Sequence, residues 1–167
     1  MTKIAVSAES WPIRGSFAIS RGAKYEARVV LVELESRGFR GRGECVPYAR
    51  YGESCDSVIE QIESVRPDIQ QGLDQAGLQQ KLPPGAARNA VDCALWDLQA
   101  KMSQVRVWEL LQLPAMQPLI TAYTLSLDSP EIMYRAALEN ADRPLLKIKL
   151  SGKDDIDRVQ GIRKGAP

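Results

Sequence analysis

Two successive strand-then-helix units close this chain, and no other feature limits its fold so strongly. Residues 119–123 form an apolar run of strand length. Ser129-Pro130-Glu131 starts a helix with proline in its first turn, and residues 132–138 continue it. Residues 145–150 read as the next strand and 154–163 as the next helix. Strand, helix, strand, helix within about 45 residues demands parallel strands joined by right-handed crossovers.

The grammar before this point is different. Residues 3–9 alternate apolar and polar, 27–35 repeat the pattern with Val29 and Leu31, and 38–44 follow a glycine-containing turn as a hairpin partner, a small antiparallel sheet. A polar loop over 47–54 carries Tyr48, Arg50 and Tyr51. Helical spacing over 57–65 (Val58, Ile62, Val65) stops at Pro67, and a short helix over 73–81 is closed by Pro83-Pro84-Gly85. The strongest helix is 86–102, where Ala87, Ala90, Val91, Ala94, Leu95, Leu98 and Met102 recur at threes and fours with no glycine or proline inside. A turn over 107–111 ends before Pro114. The boundary falls near residue 115, giving an α+β domain over 1–115 and the start of a βα domain over 116–167.

Composition excludes several classes. Of 167 residues, 22 are basic and 21 acidic, so the charge balance implies no polyanion or membrane surface as partner. No nucleic-acid motif is present, and no apolar run approaches the ~20 residues of a membrane span. The opening Met1-Thr2-Lys3-Ile4-Ala5-Val6 is too short and too polar afterwards for a signal peptide. Cys45, Cys55 and Cys93 are odd in number and unpaired in spacing, which suits reduced thiols in a cytoplasm. The chain has no histidine, so Lys, Asp, Glu, Tyr and Cys are left to carry acid–base chemistry.

Among those, Leu146-Lys147-Ile148-Lys149-Leu150 stands out. Two lysines at i and i+2 of a strand project from one face, roughly 6.6 Å apart. On a solvated face they are ordinary surface charges. Strands of a βαβ sheet are covered on both sides, however, so with Leu146, Ile148 and Leu150 toward the helices the lysines turn to the other side of the sheet, which in a βα-barrel is the interior, where strand ends open into the site. At an effective dielectric of ~20 the two charges repel by about 2.5 kcal/mol, so each makes the other harder to keep protonated. That is how a lysine becomes a base able to take the α-proton of a carboxylic acid.

These residues bring the chain close to a family. Trp11-Pro12, Arg21-Gly22, Glu26-Ala27-Arg28-Val29-Val30, Gly43-Glu44-Cys45, Pro47-Tyr48 and Arg50-Tyr51-Gly52-Glu53-Ser54, then Gly85 to Ala90, Asp92 to Leu98, Ile120-Thr121-Ala122 and the Lys-x-Lys string stand in order from about Lys3 to Pro167. In this the chain resembles the dipeptide epimerases of the enolase superfamily, muconate-lactonising subgroup. The resemblance implies an α+β capping domain followed by the first two βα units of a (β/α)7β barrel. It implies magnesium-assisted 1,1-proton transfer on a dipeptide such as L-Ala-L/D-Glu, in cell-wall peptide metabolism. By position, Lys149 would be one of two opposed bases and Lys147 its auxiliary, touching the substrate carboxylate. Thr124 would contact substrate at the end of the first barrel strand. Loops over 17–24 and 46–54 would close the pocket with Phe17, Ile19 and Tyr51, and Lys24 would suit a glutamyl side-chain carboxylate.

Outside the resemblance, Lys24, Arg28 and Arg50 read as surface charges, and Phe17 and Ile19 as packing residues. Asp92, Trp96 and Asp97 on the long helix read as securing the domain interface, and Asp154 and Asp155 as a helix start rather than metal ligands. Gly38, Gly41 and Gly43 are not a dinucleotide fingerprint, because no helix follows them. The family's three metal-binding carboxylates and its second lysine belong to later barrel strands, so no magnesium ligand is expected in this chain, which alone would be inactive. An open strand edge would invite pairing with the rest of the barrel or with a second copy. The alternatives are a noncatalytic fragment or interaction module, an N-acyl amino acid racemase, an o-succinylbenzoate synthase or a cycloisomerase.

Overall fold

A computed structural model describes residues 1–20 and 22–167; Arg21 of the Arg21-Gly22 match lies outside them. The described residues divide into two compact units, Met1–Trp11 with Ala27–Met116, and Pro12–Glu26 with Gln117–Pro167.

Strands β1 (Lys3–Ile19), β2 (Gly22–Ser36) and β3 (Phe39–Cys45) form one sheet in that order, and the first unit holds β1 as far as Trp11, β2 from Ala27 and all of β3. The turn between β2 and β3 is Arg37-Gly38, both with positive φ (51° and 82°), which matches the twist of a tight hairpin. Pairing runs antiparallel from Ser36↔Phe39 to Val30↔Cys45. Val30, Val32 and Leu34 enter the main core, while Val29 and Leu31 are also buried on the other side. The simple alternation expected of 27–35 is therefore replaced by burial of successive residues from Val29 to Val32.

Helix α1 (Cys55–Ser64) opens with a reciprocal cap. The Ser54 hydroxyl accepts the Ser57 N–H at 3.1 Å, and the Ser57 hydroxyl accepts the Ser54 N–H at 2.9 Å. Pro67 does not end the helical region as expected. It sits in the first turn of α2 (Arg66–Gln70), where its missing N–H costs nothing. Helix α3 (Gln75–Lys81) is capped by Asp74, and α4 (Ala86–Ser103) matches the expected long helix within a residue. A short α5 (Val107–Leu110) follows.

The glycines of β3 are explained by α4. A Cβ on Gly41 would lie 2.3 Å from the Ala94 carbonyl oxygen, and one on Gly43 would lie 2.0 Å from that of Ala90. The alanine face of α4 thus rests on bare backbone of the sheet. Polar pins flank the contact: Asp97 accepts the Arg42 N–H at 2.8 Å, and the Lys101 ammonium donates to Asp97 at 2.6 Å and to the Arg40 carbonyl at 3.0 Å. Asp97 therefore works within this unit, joining helix to sheet.

The second unit pairs β4 (Tyr123–Thr124) with β5 (Leu146–Lys147), in parallel as expected. Both strands are shorter than the runs 119–123 and 145–150, because the ladder between them spans only two residue pairs. Helices α6 (Pro130–Glu139) and α7 (Asp155–Gly165) pack closely; a Cβ on Gly165 would fall 2.6 Å from the Tyr134 carbonyl oxygen. Leu125, Met133, Ala137 and Ile162 form its core, with Leu146 and Ile148 against it. Of the loop expected over 17–24, residues 17–19 are the end of β1 and 22–24 the start of β2.

Gly43→Ala is expected to lower the unfolding free energy by about 3 kcal/mol, since neither backbone can yield. Urea denaturation followed by circular dichroism would read the loss.

Candidate active site

The parallel register sets Thr124, last residue of β4, directly beside Lys147, last residue of β5. The Leu125 N–H donates to the Lys147 carbonyl at 2.8 Å. Leu146 and Ile148 turn toward the core, so alternation carries Lys147 and Lys149 to the opposite face. Lys147 is exposed and Lys149 half-buried. Leu150, expected among the covered residues, is instead 43% exposed, because β5 has already ended.

Phe17 of β1 comes to this face. The Lys149 ammonium lies 5.9 Å from the centre of the Phe17 ring. Ile19 ends β1 half-buried, and Lys24 stands exposed near the start of β2, both in the same unit. Thus Phe17, Ile19, Lys24, Thr124, Lys147 and Lys149 share one compact unit. Tyr51 belongs to the other unit, in a single 3-10 turn over Ala49–Tyr51, its ring 5.9 Å from that of Tyr48. Glu53 steadies that turn by accepting the N–H of Tyr48 at 3.0 Å and of Ala86, the first residue of α4, at 2.7 Å.

Sequence reasoning missed the knot that holds the end of β5. Asp155 accepts the N–H of Ser151 at 3.0 Å and of Gly152 at 2.6 Å. Arg158 donates to Asp155 at 3.1 Å, to Ser151 Oγ at 3.1 Å, to the Asp128 carbonyl at 2.7 Å and to the Lys153 carbonyl. One guanidinium so joins the segments that follow both strands. The bond from the Ser151 N–H, with those from Gly152 and Arg158, holds the Asp155 carboxyl below its ordinary range. Its only sequence signal was an aspartate three residues before an arginine on a helix.

The other candidate chemistries are weaker. Burial pushes the Cys45 thiol up to about 11, and burial also raises Cys93, so neither is disposed to form a thiolate. Among the described residues no three His, Cys, Asp or Glu side chains gather where they could hold a metal ion. The described residues therefore do not fit a magnesium site. No helix among the described residues is long and apolar enough to cross a membrane.

An antiparallel sheet with a helical layer, followed in sequence by two strand–helix units with parallel strands, is the arrangement of an enolase-superfamily capping domain and the βα units after it. Residues 1–112 match the family described as mandelate racemase/muconate lactonizing enzyme, N-terminal domain, and the chain belongs to that family. It is 46% identical to the L-Ala-D/L-Glu epimerase of Escherichia coli K12 across its whole length, covering 53% of that protein. It is 41% identical to an N-acetyl-D-glutamate racemase from a Pseudoalteromonas species, over 83% of this chain and 44% of the other. An Agrobacterium tumefaciens enolase family member with homology to dipeptide epimerases, solved with sodium and L-Ala-L-Glu, superposes with a TM-score of 0.93 at 49% identity, over 100% of this chain and 51% of the other. The Enterococcus faecalis dipeptide epimerase, solved with Mg and L-Leu-L-Tyr, gives 0.84 at 29% identity, over 98% and 50%. The chain spans about half the length of the curated relatives it matches.

Asp155 carries a pH prediction. Its folded carboxyl releases its proton more readily than the unfolded one, so its stabilisation is present at neutral pH and disappears as pH falls through the depressed folded value. Asp155→Asn should therefore be less stable than wild type at pH 7, with the gap closing on acidification. Thermal melts across pH 3 to 7 test this; an equal gap at every pH would contradict it.

Proposed function

We propose that this chain supplies one catalytic base, its auxiliary lysine and substrate-covering residues at the end of β1 and the start of β2 for an epimerase acting at the α-carbon of a dipeptide such as L-Ala-L/D-Glu. The observation that carries the reading is the pairing of Thr124 with Lys147 at the ends of parallel strands, with Lys149 on the same face beside Phe17. The 46% identity to an L-Ala-D/L-Glu epimerase supports the substrate class.

In the reaction, the neutral Lys149 amine accepts the α-proton. The C–H electron pair moves into the adjoining carboxylate, giving an enediolate. The Lys147 ammonium, on the same face, donates hydrogen bonds to that carboxylate and offsets its growing charge. Thr124, next to Lys147 across the ladder, orients the same end of the substrate. A proton delivered from the opposite face by a second acid completes inversion, and this second group is assigned to the portion of the relatives that the chain does not span. Magnesium is proposed to be required by the complete protein, as its presence in solved relatives suggests. The boundary near residue 115, a cytoplasmic location and barrel completion belong to the same proposal.

The N-acetyl-D-glutamate racemase likeness favours one second reading, an N-acyl amino acid racemase, which would share the base and a glutamyl carboxylate but not the dipeptide's free amine. The two readings are separated by the chain completed, in cis or in trans, with the remaining half of the barrel. α-Proton exchange in D2O should be faster on L-Ala-L-Glu than on N-acetyl-L-glutamate, and EDTA should stop it. Exchange confined to the N-acetyl compound would move the assignment to the racemase, and exchange with neither would remove both. In the same protein Lys24→Met is expected to raise KM for L-Ala-L-Glu by about tenfold with kcat little changed, as loss of a remote charge contact should. Steady-state kinetics read this directly.

A further inference from the structure

We propose that Ser126 is a positioning residue, whose hydroxyl latches the end of β1 so that Phe17 stays across the Lys149 ammonium. The inference rests on Lys149 being the base of the proposed reaction, but it is tested without measuring that reaction.

Ser126 lies two residues beyond β4. Its Oγ accepts the Ala18 N–H at 2.7 Å and donates to the Ser16 carbonyl at 3.2 Å. The Leu127 N–H donates to the Ala18 carbonyl at 3.1 Å. These bonds engage the backbone on both sides of residue 17 and fix the direction in which the Phe17 side chain leaves. Two residues before Phe17, Gly15 has a φ of 75°, which favours glycine. Ring and ammonium then stand 5.9 Å apart, near the outer limit of a cation–π contact. At that distance the attraction alone is too weak to hold Phe17 in place, so the hydrogen bonds must do it.

A hydroxyl meets both demands from a single atom, accepting from one peptide and donating to another. Neither bond belongs to the unit's apolar core, which Leu125, Met133, Ala137 and Ile162 make without Ser126. The side chain thus ties the end of β1 to the segment after β4 by hydrogen bonds rather than by apolar packing. It keeps an aromatic face over one of the two lysines while leaving Lys147 exposed.

Competitive acetylation tests the latch. The 167-residue chain would be treated with trace acetic anhydride and each lysine quantified by peptide mass spectrometry, with Lys147 and Lys153 as internal references. Loss of a hydrogen bond of ordinary strength opens the latch enough for Ser126→Ala to raise the Lys149:Lys147 labelling ratio by about fivefold. Ser126→Thr, which keeps the hydroxyl, should stay near the wild-type ratio. Phe17→Ala should raise the ratio as much as Ser126→Ala, and combining them should add nothing. An unchanged ratio in a folded Ser126→Ala protein, or a rise shared by every lysine, would overturn the proposal. If Ser126→Ala does not fold, an unchanged ratio in Phe17→Ala overturns it instead. The epimerase reading fails separately, by absent α-proton exchange in the completed protein.

Discussion

The approach of α4 onto β3 leaves no room for a side chain between them, and the capping unit is organised around that fact. Ala90 and Ala94 meet Gly41 and Gly43 backbone to backbone, and the Asp97 and Lys101 pins set the helix's position along the strand. With α4 fixed, its first turn is fixed as well, and Glu53 uses it to anchor the Tyr48–Tyr51 segment. A packing constraint deep in the unit thus decides where an exposed, chemically useful loop can be.

The second unit relies on polar ties. Its strands share a ladder of only two residue pairs, too little to hold the strand-end segments in register. Asp155 and Arg158 join the segments after β4 and β5, and Ser126 joins the end of β1 to them. The apolar core below positions Leu146 and Ile148, and so, by alternation, the two lysines above. Core and ties together give Lys147 and Lys149 different surroundings, one exposed and one beside an aromatic ring. The proposed division into a base and an auxiliary calls for that difference, because identical lysines would compete for the same role.

How far this could be read from the chain depended on whether each feature was local. Helix α4 was legible because its alanines recur at threes and fours with no breaker among them, and the parallel arrangement of β4 and β5 followed from the helix between them. The lysine pair was legible because alternation in a strand is local too. The lengths of β4 and β5 were not, since a strand extends only as far as a neighbour pairs with it. Pro67 misled because proline stops one helix and starts another with equal ease. The purpose of Gly41 and Gly43 needed the helix that lies on them, and Ser126 was invisible because its partners are more than 100 residues away. The family likeness supplied roles for Lys147 and Lys149 that spacing alone could only suggest.

The central claim is that Lys149 takes the proton from one face of the α-carbon. The most direct test follows α-hydrogen exchange by NMR in D2O, using the chain completed with the remaining half of the barrel and the two epimers L-Ala-L-Glu and L-Ala-D-Glu supplied separately. Lys149→Ala should slow exchange from one epimer by about a thousandfold, while the other still exchanges through the opposing base. Equal exchange from both epimers, at the wild-type rate, would contradict the account.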